Sequence, residues 1–158
     1  MTLRDLLLDH LDHTFEKEAW QPSLVMAVEG IDAAAAGWRP APQRHSIWQI
    51  VRHVTHWKRA VLEAWEGRSP DFEALERSDW QEVSGDDPAW QEDVRALREV
   101  SERIKERVQA LDDAALSSAI ITYAGFPDQP AAIRLARMAT HDSYHAGQIQ
   151  YIRALRGA

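Results

Sequence analysis

Apolar residues spaced three and four apart along four long segments constrain this chain more than any other feature, because that period builds one-sided helices and leaves little material for a sheet. In the first segment Leu3, Leu6, Leu7, His10, Leu11 and Phe15 share the spacing, with Thr2 as N-cap and Asp5 close behind it. The second starts at Ser46, where Gln49 stands three residues on for a reciprocal cap, and Ile47, Ile50, Val51, Val54, Trp57 and Val61 carry the stripe until Gly67. Pro88, after Asp86 and Asp87, opens a third through Val94, Leu97, Val100, Ile104, Val108 and Leu111. The fourth runs from about Pro130 to Arg153.

The intervening stretches lose the period. Pro22 breaks the first segment or opens a short new one, SLVMAVEGID, and an alanine run ends at Gly37 before the loop WRPAPQ. Arg68 to Pro88 reads as a long connection with room for a short turn of helix around FEALER. In SSAIITYAGFPDQP the β-branched ITY favours a brief extended piece, too short for a sheet. The pattern predicts an all-α fold, a four-helix bundle with long connecting loops, as a single domain over residues 1–158; an irregular helical domain is the alternative.

Composition removes several kinds of chemistry. The chain has no cysteine, which excludes disulfides, thiolate metal sites, iron–sulfur clusters and a cysteine nucleophile, so any metal must use His, Asp or Glu. A net charge of −7 argues against nucleic acid as a partner, since phosphate backbones are bound by basic surfaces. No apolar run approaches the ~20 residues that span a bilayer, and charges occupy the amino terminus where a signal peptide would be apolar, so no membrane association and a cytoplasmic location are expected. No nucleophile–base triad, phosphate loop or dinucleotide fingerprint is present. Seven His and seven Trp are the unusual entries in the composition.

The fourth segment contains ATHDSYHAGQIQYI, in which His141 and His145 are four apart and therefore lie one above the other on a helix, about 6 Å apart along its axis. Met138, Gln148, Ile149 and Ile152 share their side, which points the pair toward the core, where both imidazoles can reach one ion or each can satisfy a local hydrogen bond. In the second segment, WQIVRHVTHW, His53 lies at the edge of the apolar stripe and is the better third ligand, whereas His56 falls to the far side of Trp57 and reads as a partly exposed helical histidine. His10 suits packing more than ligation, and His13 and His45 look like surface or loop-start residues.

HSIWQIVRHVTHW, followed roughly ninety residues later by HDSYHAGQI, closely resembles the DinB-like (YfiT-like) superfamily, and the likeness extends to the WRP loop and the closing helix. The resemblance implies a four-helix bundle with a divalent metal held by His53, His141 and His145. Three neutral imidazoles suit zinc, nickel, iron or copper and leave a position for water or substrate. An ion there can lower the pKa of a bound water, polarise a carbonyl or activate an external thiolate. Some members of the superfamily look like S-transferases that use low-molecular-weight thiols; with no cysteine of its own, this chain would need such a thiol as cosubstrate.

Two functions follow as expectations: a metal-dependent enzyme acting on a small molecule by hydrolysis or thiol transfer, or a non-catalytic dimeric bundle in which metal or histidines are structural. A fourth protein ligand would favour the second. Gln148, one turn beyond His145, suits a hydrogen bond to a ligand or a helix-packing contact, and Gly147 suggests close approach of another helix. Asp142 is turned about 100° from His141 and reads as solvated or salt-bridged, while Tyr144 covers the site or packs. The tryptophans read as core and interface residues rather than a ligand cage. A homodimer is expected because Trp48, Trp57 and Trp65 occupy more than one face of a single helix, and the resemblance points the same way.

Overall fold

The computed structural model describes residues 1–122 and 127–157. Four long helices, α1 (Leu3–Phe15), α4 (Ile47–Trp65), α6 (Asp87–Gln109) and α8 (Ala131–Arg156), form an all-α bundle in which α1 packs on α6 and α8, and α4 packs on the same two. The stretches between them are not bare loops. They contain α2 (Leu24–Val28), α3 (Ala33–Gly37), α5 (Phe72–Ser78) and α7 (Asp113–Ser118), so FEALER does form a short helix. An antiparallel ladder of β1 (Ile120–Ile121) and β2 (Gln129–Pro130) leads into α8; of the predicted extended ITY, Tyr123 lies outside the described residues.

Local chemistry starts each helix where the sequence suggests. Thr2 and Asp5 form a reciprocal cap on α1, and Ser46 and Gln49 do the same for α4. Ser23, Asp32, Asp71, Asp86 and Asp112 accept from backbone N–H groups at the starts of α2, α3, α5, α6 and α7. Asp113 also accepts from the Leu3 and Arg4 N–H groups, both at 3.0 Å, tying α7 to the start of α1.

The core has two parts. One joins α2, α3, the first turns of α4 and α6, and the end of α8, around Leu24, Ile47, Val51, Trp90, Leu97 and Ile149; the other joins α1, the far ends of α4 and α6, and the start of α8. Trp48 and Trp90 meet edge-on, and their indole N–H groups donate to Asp93 and to the Ile31 carbonyl. At Gly85 a Cβ would stand 2.9 Å from that of Ala89 and 3.0 Å from the Trp48 ring, so the chain enters α6 by passing directly over that indole. Trp48 and Trp65 are buried within the chain and Trp57 is half-buried against His53 and Phe72, which removes the argument that uncovered tryptophans on α4 demand a dimer. Among the described residues no helix is long and apolar enough to cross a membrane.

Candidate metal centre

Helices α4 and α8 bring His53, His141 and His145 together, with a ligand atom from each lying within 4.8 Å of the others. The Nε2 atom of His141 stands 3.2 Å from that of His53 and 2.9 Å from that of His145. Imidazole nitrogens at ~2.0–2.1 Å from a tetrahedral zinc ion are about 3.3 Å apart, so the three rings already approximate a ligand set. His53 and His145 are buried, and His141 is half-buried.

The far side of two rings decides which nitrogen faces the centre. His53 Nδ1 lies 2.8 and 2.9 Å from the two carboxylate oxygens of Asp79. A carboxylate only accepts, so Nδ1 carries the proton and Nε2 presents a lone pair inward. His145 Nδ1 donates to Gln148 Oε1 at 2.7 Å, and Gln148 Nε2 donates to the Tyr144 hydroxyl at 2.9 Å, which fixes the same tautomer there. Two lone pairs thus converge on the Nε2 of His141. Such an arrangement could hold a cation, and hydrogen bonds like those of Asp79 and Gln148 to the far side of the imidazoles are of the kind that tunes metal affinity from outside the ligand shell. Burial, then the neighbouring imidazoles, hold His145 down to about 3; burial, His53 and Lys58 hold His141 down to about 4. Both rings are therefore neutral at pH 7, the form that binds metal.

Asp79, which the sequence does not single out, and Trp80, which it reads with the other tryptophans as core or interface, complete the surroundings. Asp79, its side chain 9% exposed, also accepts from Trp57 Nε1 at 2.8 Å and from the Trp80 N–H at 2.9 Å. Burial raises its carboxyl, but these hydrogen bonds and that from His53 outweigh it and leave the pKa below the usual carboxylate value. Trp80 is the non-glycine residue with positive φ among the described residues, at 55°. Its ring lies stacked on His53 at 3.9 Å and on His45 at 3.7 Å, and its carbonyl accepts from Gln49 Nε2. A bulky residue is uncommon in this left-handed conformation, and here the contacts on both ring faces hold it.

Other residues take simpler places. His56 Nε2 meets the Leu75 carbonyl at 3.1 Å, and His13 is half-buried beside Asp9. His10 is outside the three-histidine group, and Tyr144 packs edge-on to His145 while its hydroxyl holds Gln148. Asp142 is salt-bridged but not solvated: its Oδ2 meets Lys58 Nζ at 2.6 Å with both side chains buried, and its Oδ1 has no hydrogen-bond partner. Gly147 does not mark a close helix approach, because a Cβ there would meet nothing within 4 Å. Among the described residues no fourth ligand joins the group.

The class of protein that this fold and site define is a helical bundle with a buried histidine centre. Residues 17–149, which include all three histidines, match the family model of the DinB superfamily, and the chain belongs to it. No curated protein and no solved structure matches the chain.

Proposed function

We propose that the protein binds one divalent transition metal, zinc, nickel or iron, through His53, His141 and His145, and that it is a metal-dependent enzyme acting on a small molecule by hydrolysis or by S-transfer from a low-molecular-weight thiol. The observation that carries this reading is the convergence of three Nε2 atoms, two of them fixed as acceptors by Asp79 and Gln148. Held by three imidazoles, such an ion supplies a Lewis acid with coordination left for a reactant. The chain's own part is to keep the rings neutral by burial, to orient two of them from behind and to shield one face of His53 with Trp80. The absence of a fourth ligand among the described residues favours this over a purely structural ion.

The same reading places the protein in the cytoplasm, without nucleic acid as partner, as a homodimer. Tyr144, Tyr151 and Leu155, exposed along one stripe of α8, are apolar surface that a second copy could cover. The test of catalysis is a survey of thiol consumption with electrophiles and of ester and amide hydrolysis, each with chelator and after metal is restored. Turnover that chelator abolishes and metal restores is expected; turnover indifferent to chelator contradicts the metal-dependent reading.

A further inference from the structure

A cavity of about 330 Å³ lies between α4 and α8 and reaches the histidine centre at His141. Its apolar wall is Trp57 and Val61 from α4 and Met138 from α8. Its polar lining is His141 with Lys58, Arg134 and Arg137, and among the described residues no carboxylate lines it. Three cations gathered in one cavity are unexpected in a chain with 25 acidic residues against 18 lysines and arginines. A larger cavity beside His45 and Gln148 also lacks a carboxylate among the described residues but holds a single arginine, Arg44, and no lysine, whereas one behind His53 includes Asp79 and Asp93, and one beside Lys105 includes Asp12, Glu16 and Glu102.

The three cations differ in what holds them. Lys58 is paired with Asp142. Arg134 is buried and donates to the Pro127 carbonyl. Arg137 is exposed at the rim, one helical turn before His141, and forms no ion pair among the described residues. One turn places its backbone about 6 Å along the axis from that of His141.

We propose that this cavity is the substrate chamber of the centre and takes a small organic anion with an apolar body. The body lies on Trp57, Val61 and Met138, the anionic group meets Arg137, and the reacting group reaches His141 about one helical turn away. This rests on the reading of His141 as a metal ligand, and it adds the charge and shape of the substrate. The chain's negative charge repels anions in general, so a cavity lined by three cations, with no carboxylate among the described residues, marks the place where one is admitted.

The test uses three probes with one apolar body, 4-phenylbutanoate, 4-phenylbutanol and 4-phenylbutylamine, titrated calorimetrically into zinc-treated and chelator-treated protein whose metal content is measured on the same samples. The carboxylate should bind at least about tenfold more tightly than the alcohol in both forms, and more tightly still than the amine. Arg137→Glu should abolish that preference, while Arg98→Glu, on the exposed side of α6, should keep it. Alcohol binding equal to carboxylate binding, or a preference that survives Arg137→Glu, overturns the proposal. A carboxylate preference in a parent that takes up no zinc supports the chamber and contradicts the metal reading; zinc uptake with no preference does the reverse.

Discussion

Replacing Asp79 by Ala probes the support of the site without touching a ligand. The carboxylate accepts from His53 Nδ1, Trp57 Nε1 and the Trp80 N–H, at 2.8 to 2.9 Å, in a position only 9% exposed. Stranding a buried donor costs about 1–3 kcal/mol, and water entering the vacated space can rescue part of the set, so a loss of about 3 kcal/mol in folding stability is expected. Loss of a partner behind a ligating histidine weakens metal binding by about 10–100-fold, or roughly 1.4–2.7 kcal/mol. Asp79→Asn keeps one carbonyl acceptor for His53 but turns an amide toward the other donors, so it should fall between parent and Ala. The assay is zinc competition against a chromophoric chelator, with helical circular dichroism confirming that each variant is folded. A folded Asp79→Ala that binds zinc as tightly as the parent would refute the claim that this carboxylate orients His53.

Metal-free protein should lose stability as pH falls from about 6.5 toward 4 and 3, because the unfolded histidines take up protons near 6.5 whereas folded His141 and His145 resist until about 4 and 3; a melting temperature unchanged from pH 7 to 4.5 would contradict it. The stability these rings contribute is thus complete above 6.5, and proton competition with metal at them sets in lower than an unperturbed imidazole would suggest. Lys58→Met should cost about 3–5 kcal/mol in urea denaturation by leaving the Asp142 carboxyl, whose pKa burial already raises, without its partner, and adding Asp142→Leu should restore most of it; a double variant no more stable than the single one would contradict the claim that the stranded carboxyl causes the loss. Light scattering at micromolar concentration should return a dimer mass, and Tyr151→Glu with Leu155→Glu should return a monomer; a monomeric parent removes the dimer.

What was legible in the sequence was local or periodic. Capping residues Thr2 and Ser46, and Pro88 after two aspartates, announce helix starts by chemistry within four residues, and angular positions on two stripes turn His53, His141 and His145 toward the core while the family resemblance joins them as one set. Asp79 and Trp80 lack that kind of signal. They sit in an aperiodic connection and reach His53 only because the chain folds back after α5, a contact 26 residues long in sequence for Asp79. The sequence reads His45 as a surface or loop-start residue because its role depends on Trp80 lying across it. Gly147 is ambiguous in sequence because a helical glycine signals either a neighbour or open solvent, and only the packing tells which. Asp142 points away from its neighbour His141, as the helical angle requires, but nothing local announces that Lys58 waits on the facing helix.

Metal stoichiometry after gentle dialysis tests the central claim most directly. Parent protein and His13→Ala, whose half-buried side chain lies on α1 outside the three-histidine group, should each retain about one divalent transition metal ion per chain, and His145→Ala should retain little, since it removes a ligand held between His141 and Gln148. A folded His145→Ala protein with the metal content and affinity of the parent would contradict the account and return the buried histidines to a packing role.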